Sequence, residues 1–256
     1  TGDLTDNGST FTCSSAITTM NITATGTLTT AGVTWNISNT AAVNISAATW
    51  TSSGTNTMTI NKAGSDVDWN ITNALTLNNL TFTGSAGGTA TNGGIITFDN
   101  AIAVTLVNSN IKANVNWTGL ASLNIDASSS FNANNLGCSG GVSNGEDGYG
   151  PNTGTGVCAV TTSGFGDGSA GGGGGGSHGG AGGRGWDSFT GTTYGTNTAP
   201  TLLGSGGGAA ANNDGGYGGG IARLDVSGTL TVSGSITANG QNGNTTSGTD
   251  YGSAGG

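Results

Sequence analysis

The sequence predicts an all-β protein, a parallel β-helix-like β-solenoid carrying an ordered glycine-rich segment, and three observations predict it. Short runs that alternate apolar residues with Thr, Asn or Ser recur from Phe11 to Leu136, and no helical periodicity or capping pattern competes with them. Gly, Asn, Ser and Ala separate the runs, which is corner chemistry. Charged residues make up 7% of the chain, where a soluble domain averages about 25%, so Thr and Asn must form the polar surface. A β-sandwich is the runner-up, because frequent turn signals fit it as well.

Taken in order, Phe11 to Leu28 alternates with period two, at Ile17, Met20-Asn-Ile22 and Thr27-Leu-Thr29. The same theme returns in Val33-Thr-Trp-Asn-Ile-Ser38, Ala42-Val-Asn-Ile-Ser46, Met58-Thr-Ile60 and Val67-Asp-Trp-Asn-Ile-Thr72. It continues through Leu75-Thr-Leu77, Leu80-Thr-Phe82, Ile95-Ile-Thr-Phe98, Val104-Thr-Leu106, Val115-Asn-Trp117 and Leu123-Asn-Ile125. These read as strands of three to six residues. The match of Val33–Ser38 to Val67–Thr72, 34 residues apart, points to internal repetition. Many short strands with little hairpin chemistry favour rungs that stack and bury a thin core of Val, Ile, Leu and Phe, with Asn and Thr in ladders between rungs.

The chain divides on composition into a Thr/Asn-rich β domain (1–136), a loop insertion (137–163) and a glycine-rich segment with a C-terminal β run (164–256). Cys138 and Cys158 bracket the insertion. A disulfide there closes a loop of about 21 residues, contributes about 3 kcal/mol on the loop-entropy argument, and implies an oxidising compartment. Free thiols are the alternative. Cys13 is the odd cysteine: an intermolecular partner, a free buried thiol, or the true mate of one of the other two.

Close to half of the 53 glycines lie between 164 and 220. Glycine loses the most conformational freedom on folding, so such a block either stays flexible or packs where no side chain fits. Trp186, Phe189, Tyr194, Leu202, Leu203 and Tyr217 sit among the glycines and give it more apolar weight than a linker carries. Extended, polyproline-like or irregular strands packed backbone to backbone are expected.

The run Gly204-Ser-Gly-Gly-Gly208, followed by Gly218-Gly-Gly-Ile-Ala-Arg-Leu-Asp-Val-Ser-Gly-Thr-Leu-Thr-Val-Ser-Gly-Ser-Ile-Thr-Ala-Asn-Gly240, resembles the repeats of large secreted glycine-rich β-helical surface proteins of adhesin type. The resemblance covers about residues 165–256 and is compositional. It implies stacked β-helical coils with polyglycine between them, and an adhesive or structural role.

Net charge is −9, and only Lys62, Lys112, Arg184 and Arg223 are basic. That excludes nucleic acid and anionic lipid as partners. No run of 18 apolar residues exists, so membrane insertion is not expected. A first residue other than Met reads as a processed or excerpted chain, and Tyr251-Gly-Ser-Ala-Gly-Gly256 reads as the start of a further glycine-rich unit.

Candidate chemistry is sparse. His178, the one histidine, lies in polyglycine with no nucleophile motif around it and reads as an exposed bystander. Asp66 and Asp68 share a strand face, which is the strongest case for a polysaccharide-active β-helix enzyme, but the further partners such enzymes use are missing and no enzyme is expected. Asn144, Glu146 and Asp147 offer oxygen ligands in a turn, a weak calcium site that fails EF-hand spacing. No other cofactor is expected. Sequons at Asn21, Asn36, Asn44, Asn70, Asn79 and Asn116 are glycosylation candidates; in the Asn-Ile-Ser/Thr examples the Asn would lie opposite a buried Ile. The expectation is an extracellular or cell-surface structural protein, a filament, sheath or surface-layer subunit that self-assembles with further copies of itself through strand and end-to-end contacts. A solenoid exposes unpaired rungs at both ends, and neither terminus carries a charged or proline-bearing cap. The alternative is an adhesin or carbohydrate-binding module that contacts surface glycans through glycine-rich loops or exposed Trp and Tyr; Trp35, Trp50, Trp69, Trp117 and Trp186 are the tryptophans available.

Overall fold

The computed structural model describes residues 2–13, 17–37, 40–60, 66–84, 94–142, 145–151, 158–159, 174–178, 180–184, 193–196 and 201–244; side chains of a few strand residues, among them Cys13 and Asp66, are not described. All regular structure among these residues is β. Two compact units form: one from Thr1–Ser85, Gly94–Asn132 and Ala222–Thr237, the other from Ala86–Gly93, Ala133–Ile221 and Ala238–Gly256.

The first unit is a parallel β-solenoid. Its strands, in chain order, are β1 (Leu4–Asn7), β2 (Thr10–Cys13), β3 (Ile17–Thr23), β4 (Thr27–Ala31), β5 (Thr34–Ile37), β6 (Thr40–Ser53) and β7 (Asn56–Ile60). Next come β8 (Asp66–Asn78), β9 (Leu80–Thr83), β10 (Ile95–Phe98), β11 (Ala103–Val107), β12 (Asn110–Lys112), β13 (Asn114–Ile125) and β14 (Ser130–Asn132). The chain then enters the second unit, where β15 (Gly150–Pro151) and β16 (Cys158–Ala159) form a short antiparallel ladder. It returns as β17 (Ala222–Val232) and β18 (Ser235–Thr237).

One seven-stranded sheet, ordered β18-β14-β12-β9-β7-β5-β2, takes one strand from every coil, and a nine-stranded sheet takes the rest. All pairings within the solenoid are parallel, which excludes the sandwich, whose sheets are antiparallel. The long strands β6 and β8 serve two faces, with a register irregularity between Ala47 and Thr49 where the chain bends from one to the next. Most solenoid strands have the three to six residues that sequence alternation marks, whereas β6, β8, β13 and β17 run to 11–14 residues, because a bend within a strand looks like a break.

Register explains the alternation. Leu28, Trp50, Leu75, Val104 and Leu123 stack in one inward file, and Trp35, Met58, Phe82, Ile111 and Phe131 in another. All of these are buried. Full burial of a side chain of this size stabilises by about 1.5–3 kcal/mol. Aromatic rings join the coils: Trp50 meets Trp69 at 5.0 Å, Trp69 meets Trp117 at 5.4 Å, and Trp117 meets Phe131 at 4.9 Å. The outward file Thr5, Thr29, Thr51, Thr76, Thr105, Asn124 and Thr231 has no charge at all. Asparagines also bridge coils, as where Asn44 Nδ2 donates to Asn21 Oδ1 at 2.8 Å.

The turn into the seven-stranded sheet uses a left-handed residue in five of seven coils. Gly8, Gly32, Gly54, Asn79 and Asn108 occupy it, with φ of 75°, 65°, 64°, 54° and 45°. Only Gly, and Asn among the others, visits this region at low cost. The 34-residue match is not a coil repeat. Trp35 pairs with Met58 in one sheet, whereas Trp69 pairs with Ile45 in the other.

Apart from the β15–β16 ladder, the described part of the second unit is organised by backbone hydrogen bonds between irregular extended segments. Donors on the segment Gly204 to Ala210 go to different neighbours in turn, and those three residues apart return to the same one. Gly204 and Gly207 donate to Gly219 and Gly216, and Gly206 and Ala209 donate to Tyr149 and Glu146. Gly208 donates to Gly174. Three residues per turn with no internal hydrogen bonds is polyproline-II geometry. Three such segments close a cycle: Cys138 donates to Gly204, Gly204 to Gly219, and Gly218 to Cys138, at 2.9, 2.8 and 2.9 Å. Glycine is required by the packing distance here, since a Cβ on Gly218 would sit 2.1 Å from the Gly204 carbonyl oxygen. A small core of Cys138, Cys158, Leu203 and Ile221, with Tyr149 against it, accompanies the bundle.

Candidate functional site

The feature that stands out is the pair of open coils at the two ends of the solenoid. Among the described residues, β1 and β2 at one end, and β17 and β18 at the other, pair on one side only. Five of the chain's exposed large apolar side chains lie on these strands: Leu4 (40%), Phe11 (43%), Leu230 (48%), Val232 (43%) and Ile236 (38%).

All five occupy inward register positions. Leu4 stacks on Leu28, Phe11 on Trp35, Leu230 on Leu123, Val232 on Ile125 and Ile236 on Phe131. Each of these partners is buried, because a further coil covers it. The exposed residues differ in having no further coil above them, and the backbone N–H and C=O groups of the edge strands face outward with them. One strand of the first coil places a polar residue inward. Asp6 follows the file of Thr30 and Ser52, and its Oδ2 accepts a 2.9 Å hydrogen bond from Trp35 Nε1. An inward carboxylate on an edge strand resists indiscriminate pairing.

Sequence analysis expects contacts through strand-like ends but does not identify these side chains. The strand patterns around Phe11, Leu230 and Ile236 read like those of any core strand, Leu4 lies in no alternating run, and nothing local reveals that these four side chains are uncovered.

The remaining candidates fall as follows. Cys138 and Cys158 form a disulfide, with their Cα atoms 5.5 Å apart, inside the small core of the second unit. Glu146 is exposed and Asp147 half-buried, while Asn144 lies outside the described residues, as do Asp167, Trp186 and Phe189. No group of three or more His, Cys, Asp or Glu comes together among the described residues. Asp68 is exposed and accepts a 3.0 Å hydrogen bond from Thr97 Oγ1.

Trp35, Trp50, Trp69 and Trp117 are all in the core, between 0 and 5% exposed, so none of the four is a sugar platform. They sit at inward register positions, where alternation buries whatever residue occurs. His178 is not an exposed bystander. It is half-buried, packs edge-on against Tyr194 with centroids 5.0 Å apart, and has an enclosed Nε2 with no hydrogen-bond partner. Burial holds its pKa below the usual histidine value, and a backbone hydrogen bond at Leu202 opposes that shift. Burial likewise pushes the Tyr194 phenol up; its hydroxyl donates to the Leu203 carbonyl at 2.6 Å.

The sequon asparagines lie on the outer side of the coils. Asn21 and Asn70 are exposed, and Asn36, Asn44 and Asn116 half-buried, with Asn79 at a corner. Ile37, Ile45 and Ile71 beside them are buried. The Asn116 Oδ1 is enclosed without a partner.

Comparison with protein-family models, with curated proteins and with solved structures finds no match.

Proposed function

We propose that the chain is an extracellular structural protein that assembles end to end with further copies of itself into a filament, sheath or surface layer. The observation that carries this reading is the pair of open coils. Leu230, Val232 and Ile236 at one end and Leu4 and Phe11 at the other are where the inward files would continue into another coil. Stacking β17 and β18 of one copy on β1 and β2 of the next extends both sheets and covers these side chains. The two surfaces differ, so the contact is heterologous and does not close, which gives a fibre.

An oxidising setting agrees with the Cys138–Cys158 disulfide. No helix among the described residues is long and apolar enough to cross a membrane. The reading assigns the chain no catalytic role.

Sedimentation velocity and negative-stain imaging at neutral pH, without reductant, test it. Wild-type chain should form concentration-dependent linear assemblies. The double variant Leu230→Lys, Ile236→Lys should remain monomeric, because it places two charges at the stacking surface. A wild-type chain that stays monomeric at high concentration refutes the reading.

A further inference from the structure

The second unit carries a groove that the assembly reading does not use, and we infer that it binds a neutral saccharide. The groove has a volume of about 360 Å³ and is lined by Asp214, Gly215, Tyr217, Gln241, Asn242, Gly243 and Asn244. That volume lies within the usual range of small-ligand sites, about 300–1,000 Å³.

Two extended segments build it. Gln241 N donates to the Tyr217 carbonyl at 2.7 Å and Asn244 N donates to the Asp214 carbonyl at 2.9 Å. The two bonds are three residues apart on both segments and run in opposite chain directions. Antiparallel segments with three residues per turn place i and i+3 on one face, so Asp214 and Tyr217 share a face, as do Gln241 and Asn244. The Tyr217 N–H also donates to Gln241 Oε1 at 3.4 Å. Between these side chains the backbones approach closely: a Cβ on Gly216 would sit 1.9 Å from the Gln241 carbonyl oxygen. Side chains therefore occur in this stretch where the bundle leaves room, and those present are one phenol, one carboxylate and three amides.

This set matches one ligand class. The half-buried Tyr217 ring offers an apolar face to sugar C–H groups, as aromatic rings with a polar tip do. A carboxylate accepts from two hydroxyls, and amides both donate and accept, which suits the dense hydroxyls of a sugar. Among the described residues no Lys or Arg lines the groove, and the chain carries a net charge of −9, so phosphorylated, sulfated and uronic ligands are disfavoured. The lining is too polar for an apolar small molecule.

The test uses the full chain with malto-, cello-, manno-, galacto- and N-acetylchito-oligosaccharides, and oligogalacturonate as the anionic control, read by saturation-transfer NMR and calorimetry. At least one neutral series should bind and the galacturonate should not. Tyr217→Ala and Asp214→Asn should each weaken binding about ten-fold or more, which is about 1.4 kcal/mol. Tyr217→Phe, which keeps the ring, should retain most of it, with native amide spectra in every variant. The Leu230→Lys, Ile236→Lys chain should bind as wild type, which separates this site from assembly. The inference is overturned if no neutral series binds at millimolar concentration, or if Tyr217→Ala and Asp214→Asn bind as wild type.

Discussion

The Asp6 carboxylate accepts a hydrogen bond from the Trp35 indole N–H at 2.9 Å, joining the first coil of the solenoid to the second. Trp35 is 5% exposed, so its N–H depends on that acceptor. Asp6→Ala should cost about 1–3 kcal/mol, the penalty of a buried donor left unpaired. Asp6→Asn keeps an acceptor oxygen and should lose less. Urea unfolding followed by tryptophan fluorescence compares the two; equal losses would refute the assignment.

Trp50 and Trp69 are both fully buried and differ in their indole N–H. Trp50 Nε1 donates to Thr30 Oγ1 at 3.2 Å, whereas Trp69 Nε1 is enclosed with no hydrogen-bond partner. Trp→Phe at 50 removes packing and a hydrogen bond. At 69 it removes packing together with an unpaired polar group. Trp69→Phe should therefore be the less destabilising by about 1 kcal/mol. Thermal unfolding of the two variants decides, and an equal or larger loss at 69 counts against it.

In the glycine bundle, space rather than sequence position sets the cost of a methyl group. Gly218→Ala places a Cβ against the Gly204 carbonyl, while Gly183→Ala meets nothing within 4 Å. The first should destabilise the second unit by about 1–3 kcal/mol or more, since backbone must move, and the second should be close to neutral. Limited proteolysis of the two variants should separate them clearly.

His178 makes the second unit sensitive to mild acid. Its folded pKa lies below 6.5 because burial disfavours the charged ring. The unfolded chain then binds the proton more readily, so stability is complete above 6.5 and falls as pH drops from there through the folded value. Unfolding midpoints at pH 7.5 and 5.5 should differ for wild type and differ less for His178→Gln. Identical midpoints in wild type would rule this out.

Much of the solenoid is legible locally. Alternation at Leu75-Thr-Leu77 or Leu80-Thr-Phe82 reports the buried face directly, because successive strand residues point to opposite sides. Spacing and composition favour the Cys138–Cys158 bridge and close-packed glycines but leave Cys13 as a rival mate and a flexible block as an alternative; the structure pairs Cys138 with Cys158 and packs the described glycines backbone to backbone.

Residue type and short-range period are enough to specify a charge-poor, all-β chain with a glycine-rich part, and they leave that part either flexible or packed through its backbone. Which strands are neighbours, and which are outermost, depends on long-range pairing. Parallel coils pair residues far apart in the chain, as where Ser227 Oγ donates to the Leu120 carbonyl across 107 positions. Loop lengths between coils vary, so no fixed repeat announces that Ala222–Val232 lies beside Asn114–Ile125. The same non-local pairing separates Leu123, covered by a further coil, from Leu230, which is left exposed.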